Sequence, residues 1–121
     1  MKNPVCYFEI PVPDLERAIA FYTAVFGYQL ERVEVDENEM AMFPASDEAS
    51  GITGALAKGE SYIPGKQGSR IYFSAVSIED TLHKVELIGG RVLYPKTTIG
   101  ESGSVAEFED SEGNCIALHS A

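Results

Sequence analysis

Apolar positions recur at two different periods along this chain, and the period changes at matching points in each half. Residues 5–10, VCYFEI, and residues 70–75, RIYFSA, are short runs of strand type. Each leads to a helix N-cap, Asp14 or Ser77, whose side-chain oxygen can accept from the first free backbone N–H groups. After Asp14, Leu15, Ala18, Ile19, Tyr22 and Val25 recur at three- and four-residue spacing; after Ser77, Ile78, Leu82, Val85 and Ile88 do the same. Such spacing predicts amphipathic helices that cover something with one face. Gly27 and the pair Gly89-Gly90 then supply the left-handed exit that helix C-termini favour.

Three strand-like runs follow each helix, at 29–35, 40–43 and 52–57 in the first half and at 91–94, 104–109 and 115–119 in the second. Asp110-Ser111-Glu112-Gly113-Asn114 separates the last two as a hairpin loop would. Between the halves, KGESYIPGKQGS is rich in Gly, Pro and Ser and reads as a linker. A shift of 63 residues lays Asp14-Leu15-Glu16 on Ser77-Ile78-Glu79, Gly27 on Gly90 and Leu30 on Leu93. The pattern therefore predicts an α+β fold of two tandem βαβββ modules within a single domain. Module 1 covers about 4–58, the linker about 59–68 and module 2 about 69–121.

Composition narrows the function classes. A chain of 121 residues suits one domain with a real core. Its apolar runs are too short to cross a bilayer, and no signal peptide is read at the start, so a cytoplasmic protein without a membrane partner is expected. Nine basic and nineteen acidic residues leave a net charge of −10. That argues against nucleic acid, which needs a basic patch. It favours solubility and, equally, cationic ligands. Cys6 and Cys115 form no CxxC pair and are expected as buried thiols without a disulfide.

Three segments carry a family resemblance: FEIPVPDLERAIAFYTAVFGYQL at the first strand and helix, GGRV after the second helix, and EFEDSEGNCIALHS at the end. In these the chain resembles the vicinal-oxygen-chelate superfamily, which includes glyoxalase I, bleomycin-resistance proteins and extradiol dioxygenases. The resemblance spans essentially the whole chain. It implies a curved mixed sheet wrapped around a cup, with the helices packed outside, and homodimers as the common assembly. Metal-dependent members hold a divalent ion with one ligand from the first and one from the last strand of each module. The matching positions here are Tyr7, Ala55, Arg70 and Ala117. Neither alanine has a donor atom and an arginine repels a cation, so no metal cofactor is expected. Glyoxalase isomerisation and ring-cleaving oxygenation, which rely on that ion, lose their footing accordingly.

Strand residues two apart share a face. If Tyr7 faces the cup, so does Glu9, while Cys6, Phe8 and Ile10 lie under the helix. The same parity sends Arg70, Tyr72, Cys115, Ala117 and His119 inward, and Ile71, Phe73, Ile116 and Leu118 to the core. Glu107, on the preceding strand, is included with its parity open. Tyr7, Glu9, Arg70, Tyr72, Glu107 and His119 form the expected ligand-binding set, mixed in charge as small-molecule pockets are. Glu9 and His119 are the candidate acid–base residues, histidine titrating near neutral pH. The plain alternatives are a self-satisfied Glu9–Arg70 ion pair and a half-solvated terminal histidine. His83 is expected on the exposed helix face, and Tyr62 with Pro64 as either a lid over the cup or plain linker. The glycines of SGITG and GESGS read as turns, and Ser74, Ser104 and Ser120 lack a nucleophile-elbow context. Three functions follow as expectations. The first is metal-free binding of a small organic ligand. The second is a glyoxalase-type lyase or isomerase using Glu9 and His119 with a weak or substitute metal. The third is a partner subunit with a vestigial cup.

Overall fold

Asp14 caps helix α1 (Leu15–Phe26) by accepting the Arg17 N–H at 3.0 Å, and Gly27 ends it at φ 76° with its N–H on the Thr23 carbonyl. Ser77 caps α2 (Ile78–Leu87) in the same way through the Asp80 N–H, and Gly89 leaves it at φ 88°. These features belong to a computed structural model that describes residues 3–46 and 51–121. Around the helices run eight strands: β1 (Phe8–Pro11), β2 (Glu31–Val35), β3 (Asn38–Met42), β4 (Gly54–Lys58), β5 (Tyr72–Ser74), β6 (Arg91–Thr98), β7 (Ser104–Glu109) and β8 (Cys115–Ser120). They form two four-stranded mixed sheets with one plan, ordered β1-β4-β3-β2 and β5-β8-β7-β6. In each, the first strand pairs parallel with the last and the other pairs are antiparallel. The βαβββ repeat is thus a repeat of hydrogen-bonding topology.

Several boundaries differ from the sequence reading for physical reasons. β1 and β5 are shorter, because pairing with β4 and β8 begins only at Phe8↔Gly54 and Tyr72↔Ala117. Cys6, expected beneath the helix, precedes that pairing and is exposed; Cys115 is half-buried, and both thiols are free. β6 runs to Thr98, past the predicted 94, with register shifts on either side of Tyr94. Pro95 lies in that stretch, where a residue without an N–H fits an edge strand. Gly54, which falls both in the strand-like run 52–57 and in the glycine run that suggests a turn, belongs to β4. A side chain there would collide with the Phe8 carbonyl oxygen, so the glycine serves close approach of the two strands. Ser50 of the same run lies outside the described residues.

Alternation sorts the sheets into two faces. Ile10, Leu56 and Ala41 stand cross-strand from one another and are buried in the main core. Phe73, Phe108, Ile116 and Leu118 do the same in the second sheet. α1 closes over both: Tyr22 lies 5.6 Å from Phe43 of the first module and 6.1 Å from Phe73 of the second. Phe26 stacks on Phe73 at 4.7 Å and Phe8 meets it edge-on at 5.9 Å. Such pairs add about 0.5–1.5 kcal/mol each beyond area burial, and here they join the modules. α2 packs on the second sheet and touches α1, which leaves the opposite sheet faces free of helices.

The DSEGN turn between β7 and β8 is more than a connector. Asp110 is buried and accepts the Tyr22 hydroxyl at 2.7 Å, the backbone N–H groups of Glu112 and Asn114, and the Asn114 side-chain amide at 3.1 Å. Asn114 in turn donates to the Pro11 carbonyl at 2.8 Å and accepts the Gly65 N–H at 3.1 Å. Beside it, Glu112 accepts two guanidinium bonds from Arg17, at 2.7 and 3.0 Å, and the Asp14 N–H at the start of α1. Removing Asp110 would leave the buried Tyr22 hydroxyl and the Asn114 backbone N–H without their partner, at about 1–3 kcal/mol each. Asp110→Ala is expected to lower unfolding free energy by about 3 kcal/mol in denaturant titration, and Tyr22→Phe by about 1 kcal/mol. A loss under about 0.5 kcal/mol for Asp110→Ala would remove its place as hub.

Burial works to raise the Glu112 pKa, yet hydrogen bonds from Arg17, Ser111 and the Asp14 backbone together hold it below the ordinary 4.5. A carboxyl with a depressed folded pKa contributes stability that is complete above its unfolded value and is lost as pH falls through the folded one. Unfolding free energy should therefore fall on acidification below about pH 4.5. Glu112→Gln should flatten that limb; a limb of equal slope in the variant would exclude Glu112 as its source.

Candidate functional site

On the helix-free faces, alternation delivers the residues that the core rejects. Glu9 sits on β1 opposite Ala55, which lies opposite Met42; the next row is Pro11, Ala57, Met40 and Val33. Met40, Ala55 and Ala57 are buried as a small second cluster, against which Val33, Met42 and Tyr62 pack. The Tyr62 hydroxyl donates to Glu9 Oε1 at 2.7 Å and the Tyr7 hydroxyl to Glu9 Oε2 at 3.2 Å. Glu9 therefore holds a tyrosine on each carboxylate oxygen.

On the second sheet, Arg70 donates to Glu107 Oε2 at 2.9 Å, and the Cys115 thiol lies 3.8 Å from Glu107 Oε1. Glu107 pairs with Ala117 between the core residues Ala106 and Phe108, so its parity is toward the helix-free face. Burial pushes the Cys115 thiol pKa up, against the opposing pull of Arg70, so the group is not an activated thiolate. Tyr72, opposite Ala117, is half exposed. Between the two sheets a cavity of about 220 Å³ opens under the connecting segment; Glu9, Ile10, Ile63, Gly65, Asn114 and Cys115 are among its walls.

His119 stands apart from these groups. It lies four residues beyond Cys115 on β8, about 13 Å along the strand at 3.3 Å per residue. Its Nε2–H donates to the Ser102 carbonyl at 2.6 Å, and no hydrogen bond joins it to Glu9. Arg70 pairs with Glu107 rather than Glu9. Among the described residues no group of three or more His, Cys, Asp or Glu side chains gathers as a metal site would require. His83 is exposed on α2. Two residues that matter were under-read from sequence. By sequence pattern Tyr62 fits a lid or a linker equally, and Asn114 fits a turn. The one available signal was an aromatic residue inside a Gly- and Pro-rich segment.

The tyrosines register the carboxylate they hold. The hydrogen bond to Glu9 raises the Tyr62 pKa, with burial and the Glu9 charge adding to it; burial and then Glu9 raise that of Tyr7. Both phenols should ionise above the ordinary 10.0 in an ultraviolet-absorbance pH titration. Glu9→Gln removes the charge that opposes phenolate, so both transitions should move down toward 10.0. Unmoved transitions would mean that the two hydroxyls do not rest on Glu9.

Known proteins share this architecture. A family model for the bleomycin resistance protein-like N-terminal region matches residues 5–46. A glyoxylase-like domain-containing protein of Didymella fabae is 30% identical over 122 residues, covering 98% of this chain and 94% of that protein. Among solved structures, glyoxalase I from Zea mays superposes with a TM-score of 0.70 at 22% identity over 97% of this chain. The chain spans only 46% of that maize enzyme. TnmS3, an antibiotic binding protein from Streptomyces, gives a TM-score of 0.70 at 24% identity, with 98% of this chain and 96% of that one covered. With its duplicated βαβββ topology and a relative similar along its whole length, the chain belongs to the vicinal-oxygen-chelate superfamily, among its glyoxalase-like domains.

Proposed function

We propose that this protein binds a small organic molecule in the cup between its helix-free sheet faces, without the divalent ion of its metal-dependent relatives. The observation that carries this reading is the Glu9 carboxylate, which holds the Tyr7 and Tyr62 hydroxyls and, of the expected ligand-binding residues, is the one that lines a cavity of about 220 Å³. At about 30 Å³ per water that volume equals roughly seven waters, room for a compact organic group. Its walls combine isoleucines with the polar groups of Glu9, Gln67, Ser69 and Asn114, the kind of mixture that can orient a small ligand.

The residues at the family's ligand positions do not fit a divalent cation. Ala55 and Ala117 are fully buried methyl side chains with no donor atom. Arg70 is a permanent cation already paired with Glu107, and the Tyr7 hydroxyl is spent on Glu9. An antibiotic binding protein of the same fold, matched over nearly its whole length, supports a binding role. Its homodimeric state and cytoplasmic location are part of the same proposal. The free thiols Cys6 and Cys115 suit a reducing compartment.

Elemental analysis of the purified protein combined with a thermal-shift screen of small organic compounds tests the reading. The expected result is less than stoichiometric zinc, nickel or iron and at least one compound that raises the melting temperature. A ligand present at 100 times its Kd adds about 2.7 kcal/mol. A full equivalent of tightly held metal would reject the proposal. So would chelator-sensitive turnover of a hemithioacetal that is lost in Glu9→Gln and His119→Ala, which would instead establish the lyase or isomerase.

A further inference from the structure

Glu9 has no cationic partner among the described residues, whereas three other carboxylates on the strands do. Glu107 is paired with Arg70, Glu109 with Lys66 and Arg91, and Glu39 with Lys58. Its two contacts come from neutral phenols. A carboxylate can accept about four hydrogen bonds, so two positions stay open. Each tyrosine hydroxyl spends its single proton on Glu9. A group approaching this cluster thus meets acceptor lone pairs on all four oxygens and no hydroxyl donor. The cluster selects for a ligand hydrogen-bond donor, and its charge selects for a cation. The cavity beside Glu9 offers an apolar side made by Ile10, Pro11, Ile63, Ile71 and Ile116, and a polar side with Gln67, Ser69 and Asn114. The net charge of −10 acts in the same direction at longer range.

The arrangement is held in place before any ligand arrives. At one end of the segment that carries Tyr62, the Gly59 backbone lies so close to the Asn38 side chain that a β-carbon would collide with it. At the other, the Gly65 N–H is bound to Asn114 at 3.1 Å. The Tyr62 N–H closes on the Gly59 carbonyl, also at 3.1 Å. A binding group fixed in this way loses little further freedom when the ligand docks.

We infer that the ligand carries a protonated primary or secondary amine that docks on Glu9 between Tyr7 and Tyr62, with its apolar body in the adjoining cavity. This assignment rests on the reading of the cup as a ligand site and adds the chemical class. The test is a calorimetric titration of the intact protein with phenethylamine, neutral phenethyl alcohol and anionic hydrocinnamate, three probes of similar shape. The amine should bind at least about tenfold tighter than either of the others, and added salt should weaken the amine alone. Glu9→Gln keeps the size and the acceptor oxygen but not the charge, and should erase the preference. Equal affinity for the alcohol, a preference for the acid, or an unchanged preference in Glu9→Gln would each overturn the amine assignment. Should Glu9→Gln not fold, the probe's own titration replaces it. Binding to the parent protein must then weaken as pH rises through the pKa of the amine, and unchanged binding overturns the proposal. A screen that yields only neutral or anionic ligands would keep the cup as a binding site and remove the amine. A screen that yields none, with all three probes silent, would remove both.

Discussion

A buried carboxylate at a hairpin turn holds the parts of this protein in their working arrangement. Asp110 ties Tyr22 of the first module to the turn of the second, and fixes Asn114 through both its backbone and its side chain. Asn114 then reaches the end of β1 at Pro11 and the connecting segment at Gly65. These three places are the walls of the cavity: Glu9 on β1, Ile63 and Gly65 on the segment, and Cys115 at the start of β8. Four hydrogen bonds to one carboxylate in the interior are costly to leave unmade, so the network resists partial rearrangement.

The two faces of the sheets divide the labour. The helix side is filled by aromatic rings that pass from Phe43 through Tyr22 and Phe26 to Phe73, crossing the boundary between modules. The other face is floored by Ala55, Ala57 and Ala117, all fully buried, the first two beneath Val33, Met42 and Tyr62. The two modules carry different polar groups on this face. Module 1 places an unpaired Glu9 between two tyrosines, while module 2 places Arg70 and Glu107 in a neutralised pair. The polar chemistry of the cup is therefore concentrated in its first half.

In the proposed metal-free reading, fold and chemistry part company at the positions where metal-dependent relatives carry ligands. The whole-chain relative and the solved structures share topology with this chain. Architecture of this kind constrains which strands face each other but not which side chains they carry.

The amino-acid sequence was enough for the helices, their caps and the repeat, because these depend on residues three to four apart in the chain. Asp14, Ser77 and Gly27 act where spacing put them. Strand parity was legible for the same reason: Phe8, Ile10, Ile116 and Leu118 went to the core and Glu9 to the other face, while Glu107, open in the sequence, takes that face through its pairing with Ala117. Strand ends were less so, since Cys6 and Gly54 answer to partners far away in sequence. Tertiary structure alone decided the pairing. Tyr62 meets Glu9 across 53 residues, Asn114 meets Pro11 across 103, and Arg70 takes Glu107 in place of Glu9. Periodicity tells which face a side chain occupies, because that is a local rotation. Which side chain it meets there depends on how two modules and a linker close on one another, and no local pattern encodes that distance.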